Sequence, residues 1–136
     1  MKNDKEKDEA AVRKWVQTFF DCMDRNDFDQ FITLMAADII LLPPEATALH
    51  GLESVKQLTK PWFDTLNMSH KINEVEVMTD HNIAYARLEY EDNFKPLEGG
   101  EVTHMDNKAL WVFRREPNDS WKAIRCIWNR NPNIET

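Results

Sequence analysis

The stretch that decides the fold is NKALWVFRREPNDSWKAIRCIWN, residues 107–129, which holds two runs of alternating side chains separated by a short turn. In the first run Ala109, Trp111 and Phe113 share one face. The second run, 121–130, alternates in the same way, and the EPNDS segment between the runs is rich in turn-forming residues. The stretch therefore predicts an antiparallel β-hairpin around which the rest of the chain packs.

Upstream of this hairpin the hydrophobic residues recur with helical spacing. They predict an amphipathic helix over Asp8–Arg25 and a shorter second helix capped by Asn26 or Asp27. A third helical pattern follows Gly51 and contains Pro61, which removes one backbone hydrogen bond. We therefore expect three helices, with a kink or a restart of the third at Thr59–Pro61.

After the third helix, from Ser69 onward, the spacing of the apolar residues changes from a period of 3.6 residues to a period of 2, which is typical of strands. A short apolar strand lies between the second and third helices and is stopped by two prolines. The predicted strands are Asp38–Leu42, Lys71–Thr79, Ile83–Asn93, Glu101–Arg115 and Trp121–Arg130. This order predicts an α+β fold, a cone-shaped curled antiparallel sheet packed on three N-terminal helices. Residues 9–132 form the single domain, flanked by a charged tail, 1–8, and a C-terminal tail, 133–136.

Composition excludes several partners. The 136 residues are 42% hydrophobic, enough for one core, and their formal net charge of -7 repels nucleic acid and anionic membrane surfaces. No apolar run has the length of a membrane span, and the N-terminus lacks the apolar core of a signal peptide. We expect a cytoplasmic protein, or a secreted or periplasmic one if a leader was removed. Cys22 and Cys126 are expected to be reduced core thiols.

Several short segments resemble the NTF2-like superfamily, in particular its SnoaL-like branch, also called DUF4440. They are NDFD (26–29), AD (37–38), LLPP (41–44), HG (50–51) and WKAIRCIWN (121–129). The resemblance covers nearly the whole domain. It implies a curled sheet with a pocket beneath the first helix, and a homodimer formed sheet to sheet. We expect Leu110 and Val112 at that dimer face.

Ketosteroid isomerases are similar to this chain in length and element order, but their catalytic residues do not carry over. The donor tyrosine on the first helix corresponds to Phe19, and the base aspartate at the end of the first strand corresponds to Pro43. The second donor falls near Ala109, with Asp106 close by. The sequence therefore argues against isomerase chemistry of that type, because no base replaces the missing aspartate.

Two interpretations of the strand Ile83–Asn93 stay open. Its apolar residues, from Ala84 to Tyr90, favour their own face as the inner one. The resemblance implies the opposite face, with Tyr85, Arg87 and Glu89 lining the pocket. In that case Glu89 and Arg87 are the candidate catalytic pair, Glu89 activating a water that Arg87 orients.

The candidate ligand pocket combines aromatic and polar residues. Its predicted members are Trp15, Phe19, His50, Trp62, Tyr85, Trp111, Cys126 and Trp128, although core packing also explains the helical aromatics. His104 and Asp106 share a strand face, but a third metal donor at useful spacing is missing. We therefore predict no metal and no cofactor.

Two functions remain. In the first, the domain binds a small apolar or mixed-polarity organic ligand and acts as a cofactor-independent isomerase, cyclase or hydratase. In the second, it is a non-enzymatic module for dimerisation or partner assembly. An enzyme should hold an ionisable group with a shifted pKa inside an open pocket, whereas an assembly module should fill its cone with aromatic side chains.

Overall fold

The structure is a computed structural model that describes residues 4–132. Three helices precede most of a six-stranded sheet. The helices are α1 Asp4–Asp24, α2 Phe28–Thr33 and α3 Leu52–Thr65. The strands are β1 Met35–Leu42, β2 Leu49–His50, β3 Leu66–Asp80, β4 Ile83–Pro96, β5 Thr103–Arg115 and β6 Trp121–Arg130. The α+β fold and the predicted hairpin of β5 and β6 are confirmed.

The sheet has the order β2-β1-β6-β5-β4-β3 and is not closed into a barrel. Its neighbouring strands are antiparallel except β1 and β6, which are parallel. The predicted antiparallel meander, β3 to β6, is confirmed, and β1 joins it through the parallel pair. The helical connection between β1 and the meander returns the chain to the opposite edge, so β1 can lie beside the last strand in the same direction.

The helices differ from the predicted ones at the start of α1 and at Pro61 in α3. Helix α1 begins at Asp4, inside the predicted tail, because Asp4 and Glu6 suit the positive end of the helix dipole. Residues 1–3 and the predicted C-terminal tail 133–136 lie outside the described residues. Helix α3 runs past Pro61 without a restart. Of the two predicted caps of α2, Asp27 is the one observed, and its side-chain carboxylate accepts a hydrogen bond from the backbone N–H of Gln30.

The last two strands contain a bulge that changes which side chains face inward. Val112 pairs with Arg125 and Phe113 with Ala123, so Ile124 is an extra residue in β6. One extra residue in a strand moves the side chains that follow it to the opposite faces of the sheet. Trp121 and Ala123 face inward before the bulge, and Cys126 and Trp128 face inward after it.

The core lies between α1 and the concave face of the sheet and is dominated by aromatic rings. Trp15 packs against Phe113 at 4.7 Å between ring centroids, and Phe19 packs against Trp111 at 4.9 Å. Trp15 also donates a hydrogen bond from Nε1 to the Leu34 carbonyl, 3.0 Å away. The narrow end of the cone is therefore solid. Within residues 4–132, no helix combines the length with the apolar character needed to cross a membrane.

Candidate functional site

The wide end of the cone holds a cavity of about 350 Å³ between the helices and the concave face of the sheet. Its walls are mainly aromatic and aliphatic. The apolar lining residues are Phe19, Phe20, Met23, Phe31, Met35, Leu41, Val55, Trp62, Leu66, Phe94, Met105, Trp111, Cys126 and Trp128. The polar ones are Thr59, His70, Tyr90, Asp92, Thr103, Asn107 and Arg130. The predicted hollow beneath α1 is therefore present.

The alternation of β4 and β5 carries polar groups into this cavity. Ala84, Ala86 and Leu88 face the core, and continuing the same face brings Tyr90 and then Asp92 to the cavity wall. On β5 the cavity face runs from Thr103 through Met105 to Asn107, which pairs with Tyr90. Because side chains two apart on a strand share a face, these polar residues occupy positions that the apolar pattern assigns to the interior.

His70 is the centre of the polar cluster. Its side chain is 1% exposed, and its ring lies against Phe20 at 4.9 Å between centroids. Nδ1 lies 2.5 Å from an Asp24 carboxylate oxygen at the end of α1, and Nε2 lies 3.0 Å from Oδ1 of Asp92. The imidazole is thus held between two carboxylates from different elements.

Asp92 is fixed on its other oxygen by Asn107, whose Nδ2 donates to Oδ2 at 2.6 Å. The 3.0 Å approach of His70 to Asp92 is an ion-pair contact, but its angles do not satisfy a hydrogen bond. Within residues 4–132, His70 Nε2 and Asp92 Oδ1 accordingly have no hydrogen-bond partner, although both atoms are buried. The cavity wall therefore presents one donor and one acceptor side by side.

The surroundings shift the pKa values of three cavity groups. Burial is the largest influence on His70 and by itself lowers its pKa, but the contacts with Asp92 and Asp24 together outweigh burial and raise it above the ordinary value. Burial first, and then the negative charge of Asp92, raises the pKa of Tyr90 well above its usual range. Burial also raises the pKa of the Cys126 thiol. Asp92 and Asp24 therefore favour the protonated form of His70, while burial favours the neutral forms of Tyr90 and Cys126.

Five of the predicted pocket residues line the cavity: Phe19, Trp62, Trp111, Cys126 and Trp128. The other three lie elsewhere. Trp15 is part of the solid core, and His50 is exposed on the edge strand β2. Tyr85 lies on the outer face, where its hydroxyl donates to Glu76 at 3.1 Å.

Arg87 and Glu89 also lie on the outer face of the sheet, so the inward orientation implied by the resemblance is wrong. Arg87 donates to Glu89 at 3.2 Å and to Glu74 at 2.6 Å, and all these side chains are more than a third exposed. The apolar face of β4 is the inner one because burying it removes more hydrocarbon from water. The pair exists, but the arrangement is a solvent-facing ion cluster of small energetic value.

A third donor does join His104 and Asp106, contrary to the sequence analysis. Glu91 pairs with Asp106 across β4 and β5, and the ligand atoms of the three residues lie within 4.8 Å of one another. His104 and Asp106 are exposed. Exposed acidic groups commonly come this close without a metal, so the cluster adds no site to the cavity.

The sequence analysis missed His70, Tyr90, Asp92 and Asn107 as site residues. A signal for three of them is present in the sequence: Tyr90 and Asp92 continue the alternating face that starts at Ala84, and Asn107 shares the face of Ala109 and Trp111. A polar residue at an inward position predicts a cavity or a buried network. His70 carries no comparable signal, since its partner Asp24 is 46 residues away.

Comparison with known proteins agrees with the fold. Residues 16–123 match the SnoaL-like domain, so the chain belongs to the SnoaL-like family. Assignment to the DUF4440 branch stays a prediction. None of the proteins of curated function matches the sequence.

Many solved structures share this fold. An NTF2-like family protein from Streptomyces avermitilis has a TM-score of 0.83 at 19% identity, covering 93% of this chain and 98% of its own. A ketosteroid isomerase-like protein from Erwinia carotovora atroseptica has a TM-score of 0.76 at 23% identity, covering 91% and 97%. An NTF2-like superfamily protein from Salmonella enterica has a TM-score of 0.79 at 11% identity, covering 93% of each chain. At these identities the similarity establishes the fold alone.

Proposed function

We propose that this SnoaL-like domain binds a small, largely apolar organic molecule in its cavity and catalyses a proton transfer on it without a cofactor, as an isomerase, cyclase or hydratase does. One observation carries the proposal. His70 Nε2 and Asp92 Oδ1 are buried in the wall of a mostly apolar cavity without hydrogen-bond partners in the described residues.

The energetic cost of this arrangement supports a functional role. Leaving a buried polar group unsatisfied costs about 1–3 kcal/mol, and more for a charged group. An apolar pair at these positions would avoid that cost and fit the aromatic walls. Ionisable groups with shifted pKa values in a concave site are typical of acid and base catalysts.

The two groups suit complementary roles. His70, whose pKa is raised, is the general acid and donates its Nε2 proton to an oxygen of the ligand. Asp92 is the base and accepts a proton from an adjacent position of the ligand through Oδ1. Asp24 stabilises the imidazolium from outside the cavity, and Asn107 fixes the carboxylate of Asp92. This assignment replaces the predicted pair of Glu89 and Arg87.

A thermal-shift screen tests the proposal with small acids, sterol-like compounds and polyketide-like compounds. The proteins are the wild type, Asp92→Asn and the matched control Glu89→Gln, which removes a carboxylate from the outer face of the same strand. We expect compounds that stabilise the wild type to stabilise Glu89→Gln equally and Asp92→Asn less. Equal stabilisation of all three proteins would remove Asp92 from the site, and turnover assays on the compounds that bind test the chemistry.

A separate observation favours the second function, assembly through the sheet. Leu42, Ile127 and Leu110 lie side by side across β1, β6 and β5 on the outer face, each about 40% exposed. We call these three residues the outer strip. An apolar strip of this kind on a sheet face fits a second copy of the chain, and dimerisation is compatible with ligand binding on the opposite face.

A further inference from the structure

The cavity presents a donor and an acceptor at one point. Each ring nitrogen of His70 faces a carboxylate oxygen and is placed to donate: Nδ1 is directed to Asp24, and Nε2 lies at the cavity wall beside Asp92. Asp92 has one oxygen occupied by Asn107, which leaves Oδ1. These two atoms lie 3.0 Å apart in an ion-pair contact that does not meet the geometry of a hydrogen bond, and both belong to residues that line the cavity.

This spacing favours one functional group over others. A single oxygen atom can lie within hydrogen-bond distance of both atoms, accepting from Nε2 and donating to Oδ1. A hydroxyl does both at once. A ketone or an ether accepts only, which leaves Asp92 unsatisfied, and an anionic carboxylate would place its charge beside that of Asp92.

The walls restrict the remainder of the ligand. Phe19, Trp62, Phe94, Trp111 and Trp128 provide ring faces and edges around the polar pair. Aromatic rings pack well against one another in offset or edge-to-face arrangements. A volume of about 350 Å³ lies at the lower end of the range of roughly 300–1,000 Å³ for small-molecule sites, which suits one or two fused rings.

We propose that the ligand class of this site is neutral, flat aromatic alcohols, whose hydroxyl oxygen accepts from His70 Nε2 and donates to Asp92 Oδ1. The inference rests on the proposed function, since it assigns the substrate class of the same cavity. The carboxylates of Asp92 and Asp24 are offset by His70 and by Arg130 on the cavity wall, and this mixed charge favours a neutral ligand, while the aromatic walls favour a planar one.

Isothermal titration calorimetry with four probes tests the assignment. The probes are 2-naphthol, 2-methylnaphthalene, 2-methoxynaphthalene and 2-naphthamide. The methyl group matches the hydroxyl in size without hydrogen bonding, the methoxy group accepts only, and the amide tests another donor–acceptor group. We expect 2-naphthol to bind the wild type about tenfold more tightly than each of the other three, a typical effect of leaving a buried polar group unpaired.

Asp92→Asn gives a sharper test than loss of binding. Asn107 donates to Oδ2, so the oxygen of the new amide stays with Asn107 and its NH2 replaces Oδ1. The acceptor thereby becomes a donor. We expect the preference for 2-naphthol over 2-methoxynaphthalene to disappear in Asp92→Asn and to persist in Glu89→Gln, the control on the outer face.

The possible failures are distinguishable. Equal affinity of the wild type for 2-naphthol and 2-methylnaphthalene overturns the hydroxyl assignment and leaves the ligand-binding cavity in place. Preference for 2-naphthamide also overturns it, in favour of an amide. If none of the four probes binds, the inference fails together with the proposed binding of flat organic molecules. Circular dichroism of each variant confirms that it is folded.

Discussion

At the scale of single residues, the environment of His70 differs from that of most buried histidines, because both ring nitrogens lie close to carboxylates. Asp24 comes from the end of α1 and Asp92 from β4. Burial disfavours the charged imidazolium, but two nearby negative charges outweigh burial and raise the pKa. The charge on His70 therefore depends on the folded structure.

The raised pKa of His70 makes stability depend on pH. Above its ordinary value, the unfolded chain releases the proton while the folded protein keeps it, so the free energy of unfolding falls as pH rises through the folded-state pKa. The charged groups facing the ring are Asp24 and Asp92. Urea unfolding from pH 6 to pH 9 should therefore show a decline in stability that is smaller in His70→Gln. An equal decline in both proteins would contradict the assignment.

Asp24 is a positioning residue that acts through His70. Asp24→Asn removes one of the two charges that favour the imidazolium, so the pKa of His70 should fall. NMR titration of the ring signals measures this directly. The control is Asp21→Asn, on the same helix, whose carboxylate accepts from Gln17. If Asp24→Asn leaves the titration of His70 unchanged, the contact between them is not formed in solution.

At the scale of elements, a charged side chain on the sheet, Arg115, contacts α1 near the start of the helix. Arg115, at the end of β5, donates to Asp8 and to the His81 carbonyl, and its guanidinium lies 4.5 Å from the Trp121 ring centroid. These contacts join α1, the β3–β4 turn and β6. They explain why the helix begins before the predicted domain boundary, since tertiary contacts stabilise its charged first turns.

Arg115→Gln should therefore destabilise the protein and loosen the start of α1. We expect a loss of about 1–2 kcal/mol from the hydrogen bonds to a charged group and the ring contact. Urea unfolding measures the loss, and amide exchange over residues 4–12 locates it. Arg114→Gln is the matched control, because the neighbouring Arg114 contacts an exposed carboxylate on Asp38 instead. Equal effects of the two substitutions would rule out a specific role for Arg115.

At the scale of the whole molecule, the curled sheet has two faces with different roles. The concave face carries the core and the cavity, while the outer face carries the ion cluster of Arg87 and the outer strip. A ligand and a second copy of the chain would thus use opposite sides of the same strands. Cavity substitutions should leave assembly unchanged, and outer-strip substitutions should leave ligand binding unchanged.

The proposed homodimer predicts that a charge in the outer strip weakens assembly. Leu110→Lys places an ammonium group at the centre of the strip, and we expect the dimer dissociation constant to rise at least about tenfold. Sedimentation equilibrium measures it. Met78→Lys is the control, an apolar position on the far strand β3 that is 51% exposed, against 40% for Leu110. A dimer that Leu110→Lys leaves intact would place the interface elsewhere.

The resemblance to a known family implied the pocket beneath α1, and the sequence pattern by itself determined the order of helices and strands and the hairpin of β5 and β6. Local periodicity, turn residues and caps carry that information because they act between residues close in the chain. The sequence also indicates part of the polar cavity wall, since Asp92 and Asn107 occupy inward-facing positions of the alternating pattern.

Only the tertiary structure decided which groups meet. It placed β1 parallel to β6, turned Arg87 and Glu89 outward, and brought His70 between Asp24 and Asp92. A strand pattern gives two faces without saying which one a remote helix covers, and one bulge at Ile124 exchanges them. The charge of a histidine likewise depends on carboxylates that folding brings from distant parts of the chain.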